Sequence, residues 1–453
     1  MTSVAGASRA PTTYEDKRAA LAASLASREA PGFGLAKSTS NLFRDRAPRR
    51  NPRVDLSHFD RVLGVGDGLV DAEGMTTFVD LADAALAHGV MPAVVPQLKS
   101  ITIGGAVAGV GIEATSFRHG LVHETVVEMD VLTGDGRVVT CTPDNDARDL
   151  FFGMPNSYGT LGYALRVKAR TVPVKRCVAV RHRRFGDAAS FFAALGDALH
   201  DPAIDFLDGV VFDRDCLVLS PARFVDEAPY TSDYTYEKIY YRSLRERNED
   251  YLTTRDYMWR WDTDWFWCSK NLGAQSPLVR KLLGRDRLNS IFYQKVMRWN
   301  TRWKLGATVE RLRGVTAESV IQDVDIPLAA AARFLAFLLD EIGVLPIWVC
   351  PIRAPDPVHA FPLYPLAPAT PYINFGFWDR VTHRERRPRG YLNRRIEARV
   401  REAGGLKSLY SDSYFTEEQF WSIYNRPAYA ALKAKYDPGN ALPDLYQKVV
   451  LRH

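Results

Sequence analysis

The sequence predicts an α+β protein of two or three domains. Three observations carry that expectation. The chain has 453 residues, enough for more than one hydrophobic core. Strand-like and helix-like runs are interspersed along it, with a hairpin signal at Thr133-Gly-Asp-Gly136. Residues 96–121 place Gly104, Gly105, Gly109 and Gly111 within eight positions. Glycine costs backbone entropy, so such a run implies close approach by a ligand or another backbone.

Composition narrows the class. Hydrophobic residues at 46% and charged residues at 25% are the balance of a soluble globular chain. Cys141, Cys177, Cys216, Cys268 and Cys350 are scattered without a C-x-x-C pair. Neither a metal site nor a disulfide framework is indicated, and a reducing compartment fits. Glu15, Asp16 and Lys17 stand where the apolar core of a secretory signal would lie. The most apolar run, residues 328–339, is short and carries Arg333; a bilayer span needs roughly 18 apolar residues. A cytoplasmic protein is expected, peripheral to the inner face of a membrane if it touches one.

The elements follow in order. Residues 1–13 read as disordered. Residues 14–28 read as a helix with Leu21, Leu25 and alanines on its apolar side, ended by Pro31-Gly32. Lys37-Ser-Thr-Ser-Asn41 precedes a basic run of Arg44, Arg46, Arg49, Arg50 and Arg53. Residues 54–56 and 61–65 read as short strands, and 75–87 as a helix that His88-Gly89 ends. Residues 126–132, 137–141 and 163–172 read as strands, and Pro173 closes this region. Strands at 177–184 and 207–219 flank a helix at 187–199. Residues 320–327 alternate polar and apolar, as a half-buried strand does. A helix at 328–342, strands at 345–352 and 372–377, and a helix at 390–403 come next. Residues 406–414 and 420–435 lead to Tyr436-Asp-Pro-Gly-Asn440 and Pro443-Asp-Leu-Tyr446.

The glycine segment admits three readings. One is a tight structural turn. The second is a dinucleotide fingerprint, since Gly109, Gly111 and Ala114 fit G-x-G-x-x-A, but no amphipathic helix follows to present its N-terminus. The third rests on order: Pro92-Ala-Val-Val-Pro96, the glycines, Arg118-His-Gly-Leu121, the Gly-Asp-Gly hairpin, Asp149-Leu-Phe-Phe-Gly153 and Tyr158-Gly-Thr-Leu-Gly162. That succession resembles the FAD-binding domain of the vanillyl-alcohol-oxidase superfamily. Such a domain is of PCMH type, with two subdomains, and meets an α+β cap with an antiparallel sheet. Later segments resemble the Δ24-sterol reductase (diminuto-like) subgroup: I-Q-D-V-D-I-P at 321–327, P-I-W-V-C-P at 346–351, L-Y-S-D-S-Y at 409–414, E-E-Q-F-W at 417–421 and L-P-D-L-Y-Q-K at 442–448.

The resemblance implies a helical extension at 1–36, an FAD-binding domain at 37–174, a cap at 175–425 and a returning segment at 426–453. It implies FAD-dependent, NADPH-driven reduction of an isolated C=C bond in a lipid. The substrate expected is a 10-methylene fatty acyl chain of phospholipid, made by a lipid methyltransferase upstream and reduced to a 10-methyl chain. A sterol side chain is the first alternative, and oxidation of an alcohol or sugar the second. A non-catalytic flavoprotein is the alternative of another class. No His or Cys lies in 37–41, so FAD is expected to be non-covalent. NADPH would dock transiently, since no second nucleotide motif is visible.

FAD contacts are expected at Lys37, Ser38, Thr39 and Ser40. Further contacts are expected at Ser100, Thr102, Ile103, Gly104, Gly105, Gly109, Gly111, Ile112, Ser116, His119, Gly120, Gly159 and Gly162. His119 and His123 also admit a purely structural reading. Protonating an unconjugated alkene to a tertiary cation, then quenching it with hydride from flavin N5, needs a positioned acid. Asp412 and Tyr410 are the first candidates, then Asp323; Asp412 has the rival role of capping a helix near Thr416. Gln322 is a candidate for flavin or substrate contact, and alternation puts Asp323 on the opposite face. Residues 255–313 hold six of the nine tryptophans interleaved with Lys and Arg. They suit a membrane surface or an aromatic cap core; no nucleic-acid motif accompanies them.

Overall fold

Strand alternation is realised as two antiparallel sheets with helices on their faces, so the chain is α+β. The computed structural model describes residues 13–26, 32–36, 43–44, 53–303, 316–356, 358–385 and 387–452. Lys37, Ser38, Thr39 and Ser40 lie outside the described residues.

The first sheet runs Val62–Gly66, Leu69–Glu73, Gly162–Pro173, Val126–Thr133, Val138–Cys141, with Val90–Pro92 also paired to Gly162–Pro173. Its first hairpin turns at Asp67 and Gly68, both at positive φ (53° and 72°), which matches the twist of the strands it joins. A two-stranded parallel pair, Gly34–Ala36 with Arg53–Asp55, lies beside it. Helix Tyr14–Ala26 is tied to this sheet. Tyr14 Oη donates to Asp130 Oδ2 at 2.7 Å, and buried Lys17 pairs with buried Glu73 at 2.7 Å. Helix Phe78–Leu86 starts later than the periodicity suggests. The N–H groups of Gly74 and Met75 donate instead to Leu165 O and Phe59 O, and Thr77 then caps the helix.

Among the described residues the second sheet has nine strands. Its order is Glu249–Thr253, Cys177–Arg181, Cys216–Val225, Phe206–Asp213, Ile347–Ile352, Tyr372–His383, Thr316–Pro327, Leu406–Lys407, with Arg183–Phe185 beside Cys216–Val225. Helices Ala188–Ala198, Leu328–Phe337 and Tyr391–Glu402 cover one face through a core that includes Phe191, Phe334, Phe375 and Ile396. The other face turns toward the first sheet. Near the C-terminus, helix Arg426–Tyr436 packs on Arg148–Gly153, where Tyr436 Oη and Lys435 Nζ both reach Asp149.

Two expectations change here. The glycine segment is not merely a tight turn: Ile103–Ala108 is a short helix capped by Thr102. The N–H groups of Ile103 and Gly104 donate to Thr76 O and Gly74 O, so these donors are already bonded. In the aromatic stretch, four of the tryptophans are core rather than surface. Trp259, Trp261, Trp265 and Trp267 are all at most 4% exposed, and the rings of Trp261, Trp265 and Trp267 pack against Tyr240, Tyr293 and Trp378 in turn. The side chains of Trp299 and Trp303 lie outside the described residues.

Candidate active site

One cavity of about 930 Å³ opens between the glycine helix and the second sheet. That is room for a large cofactor rather than a fragment. On its first side lie Thr102, Gly104, Gly105, Gly109, Gly111, Ile112, Gly159 and Gly162, together with Gln97 and Tyr158. Gly104 is small for the fold's sake: a Cβ there would come within 2.8 Å of Gly74 O. At Gly111 a Cβ would meet Val122 at 2.9 Å and Pro96 at 3.0 Å. The glycines thus let backbone approach backbone and, in doing so, form a wall without side chains.

Five expected contacts are not on that wall. Ile103 is in the core and Ser100 is 2% exposed. Ser116 Oγ accepts from Glu113 N at 3.1 Å, a turn contact. Gly120 has φ 74° against the Glu124 carboxylate, which accepts from Leu121 N at 2.7 Å. His119 is half-buried; burial first, then Arg118 and Arg170, hold it below its usual value. His123 is fully buried and pushed down to about 3 by desolvation, which fits a structural histidine.

The opposite side is built by strand Thr316–Pro327. Period-two alternation sends Gln322 away, where its Nε2 donates to Asn393 Oδ1 at 2.6 Å, and sends Asp323 and Asp325 to the cavity. Asp323 hydrogen-bonds Tyr410, whose Oη also accepts from Trp378 Nε1 at 2.9 Å. Burial pushes Asp323 up to about 8; the Tyr410 bond pulls it down, and neighbouring Asp325 adds to the rise. Asp325 accepts from Tyr364 Oη at 2.5 Å and Asn374 Nδ2 at 2.7 Å, and burial pushes it up to about 6. Asp412 is not at the cavity. Its carboxylate pairs with Arg452 at 3.2 Å, and Thr416 itself caps the following helix. Gln322 and Asp412 are therefore displaced as site residues, while Asp323 and Tyr410 come together.

Trp265, Phe266, Cys268 and Trp378 make an apolar wall, with Phe266 and Trp378 centroids 4.4 Å apart. Arg44, Arg53, Lys448 and Arg452 bring positive charge to the rim. Arg44 lies 5.1 Å over the Tyr158 ring and donates to Leu409 O at 2.7 Å; Lys448 Nζ donates to Tyr158 O. Gln97 Nε2, Asp323 Oδ1 and Asn374 Oδ1 are buried without a protein partner. Orphaned polar atoms around an apolar slot fit a flat heterocycle with donors and acceptors at its edge. Sequence reasoning missed Asp325, although the same alternation that placed Asp323 would have found it two residues on. Tyr364, Asn374 and Trp378 left no local signal.

Behind the aromatic wall, Arg260 is fully buried between Glu113 Oε1 and Asp208 Oδ2, each at 2.7 Å. Glu113 belongs to the glycine segment, Asp208 to the second sheet and Arg260 to the tryptophan-rich stretch. Burial pushes Glu113 up to about 7, against the pull of Arg260 and with Asp208 adding to the rise.

A family described as FAD binding domain matches residues 10–142. The human Δ24-sterol reductase is 27% identical over 397 residues, 84% of this chain and 74% of that one. A Δ24-sterol reductase homologue of Caenorhabditis elegans is 24% identical over 419 residues, 85% and 76%. Cytokinin dehydrogenase 7 of rice is 36% identical over 122 residues, 27% and 23%. Among the described residues no helix is long and apolar enough to cross a membrane.

Proposed function

The chain is an FAD-dependent oxidoreductase of the vanillyl-alcohol-oxidase superfamily, homologous to the Δ24-sterol reductases over most of its length, and we propose that it reduces an isolated C=C bond in a lipid. The observation that supports this reading best is Asp323: a buried carboxyl, pushed up to about 8, hydrogen-bonded to Tyr410 on the wall of an apolar cavity. At neutral pH such a group is an acid, not a base. An unconjugated alkene needs that acid, because hydride addition alone would leave an unstabilised carbanion. Protonation at the less substituted carbon leaves a tertiary cation instead.

FAD bound here would supply hydride-transfer chemistry. The glycine wall, Gln97, Arg44 and Lys448 would hold it, the cations serving its diphosphate. Asp323 delivers the proton, and Tyr410, itself held by Trp378 Nε1, orients the carboxyl. Trp265, Phe266 and Trp378 exclude water that would otherwise trap the cation as an alcohol. NADPH is the proposed electron donor. Among lipids, 10-methylene acyl chains of phospholipid are the preferred substrate and a sterol side chain the second.

Anaerobic mixing tests the proposal. NADPH should bleach the flavin, and phospholipid bearing a 10-methylene chain should restore the oxidised spectrum with a 10-methyl product. Bleaching followed by reoxidation only with a Δ24-sterol would move the substrate to sterols. Reoxidation by neither alkene would overturn the reductase reading.

A further inference from the structure

Helix Pro277–Leu283 has two chemically opposite sides. Its inner side is held by Arg280, 2% exposed, which donates to Asp264 Oδ1 and to Tyr236 O, each at 2.6 Å. Positions two apart on a helix point about 200° from each other. Leu278 and Leu282 flank Arg280 at that spacing, so both point outward, and they are 74% and 83% exposed. Rotating the helix to bury them would break a buried guanidinium–carboxylate pair. Ile291, 37% exposed, follows in the next helix.

The rim is basic. Lys281, Arg285, Arg287 and Lys295 are all exposed, and Asp286 is the one acid between positions 277 and 295. Arg285 also bonds Asp233 at 2.9 Å, which leaves Lys281, Arg287 and Lys295 as the other exposed cations of this stretch. A second copy of the chain would set this positive rim against another, an unfavourable pairing. Anionic headgroups are complementary to it.

We propose that this face docks on an anionic lipid surface, with Leu278 and Leu282 entering the acyl layer and Lys281, Arg287 and Lys295 on the headgroups. The surface-seeking residues are thus leucines, while the tryptophans of the same stretch belong to the core. Docking here does not depend on which alkene is reduced, and it is read without turnover.

The test is co-sedimentation of the FAD-loaded full chain with phosphatidylcholine vesicles and with mixed phosphatidylcholine–phosphatidylglycerol vesicles. Binding should be stronger to the mixed vesicles and weaken with salt. Leu278→Ser with Leu282→Ser should lower partitioning about tenfold or more. Lys281→Glu with Arg287→Glu should abolish only the preference for the anionic vesicles. Both variants should keep the flavin spectrum and its bleaching by reductant, which separates lost docking from lost folding or chemistry. Wild-type partitioning by the leucine double variant would overturn the proposal. So would a leucine variant that loses self-association in sedimentation velocity while wild-type protein ignores both vesicles; the face would then join copies of the chain.

Discussion

Asp323 and Gln322 are neighbours with opposite fates. One residue of pleat separates a carboxyl on the cavity from an amide bonded to Asn393. Asp323→Asn should therefore cost about 100-fold or more in flavin reoxidation by the alkene, the usual scale for losing a general acid. Flavin content and bleaching by NADPH should be unchanged; equal reoxidation rates would remove Asp323 from the chemistry. The pH profile has a definite sign. The acid must be protonated, so reoxidation should be level below pH about 8 and fall above it. Gln322→Ala should leave that profile in place, since its amide does not reach the cavity. Gly104 shows the reverse lesson. A charged side chain there cannot report on a diphosphate alone, because its Cβ already meets Gly74 O.

At the scale of elements, three distant segments are joined by one cation. Arg260→Met would leave Glu113 and Asp208 buried without it, a loss of about 3–5 kcal/mol. Denaturant unfolding measures it, and a loss within error would mean that water or repacking replaces the pair. Helix Glu417–Ile423 begins with a reciprocal cap between Thr416 and Gln419, so Thr416→Ala should cost about 1 kcal/mol in the same measurement. The sequence reading offered Asp412 for that role, whereas the capping-box spacing belongs to Thr416 with Gln419. The strand Leu69–Glu73 was not foreseen, although Asp67-Gly68 is the residue pair that its tight hairpin requires. The glycine segment misled in another way. Glycine count suggested a tight turn or close approach, but Thr102 supplied a cap and Gly74 and Thr76 supplied acceptors, so a short helix formed.

For the whole molecule, buried ionisable groups set how stability varies with pH. Glu113 and Glu124 are pushed to about 7 and Asp323 to about 8, each chiefly by burial. Their folded values lie above the unfolded ones, so the folded state holds extra protons across that window and stability falls as pH rises. His123 and His182 are lowered, to about 3 and about 4, and act the other way, but only below their usual value of 6.5. Between pH 6.5 and 8 these raised carboxyls release protons on unfolding, so the thermal midpoint should drop across that interval. Asp323→Asn should make the drop shallower, by up to about 1.4 kcal/mol per pH unit. A midpoint that climbs from pH 6.5 to 8 would contradict the assignment.

What the sequence determined by itself was order and period. The succession of Gly-Asp-Gly hairpin, D-L-F turn and G-x-L-G turn carried the resemblance to a flavin-binding domain, which a family match over residues 10–142 supports, and alternation at 320–327 separated Gln322 from Asp323. Both are local: turn chemistry and side-chain period act within a few residues. Tertiary structure decided which distant groups meet. Tyr410 reaches Asp323 because Leu406–Lys407 pairs with Thr316–Pro327, and Arg452 claims Asp412 from the far end of the chain. It also decided that the tryptophans are core and two leucines are surface, since burial is a property of the packed molecule and not of residue type.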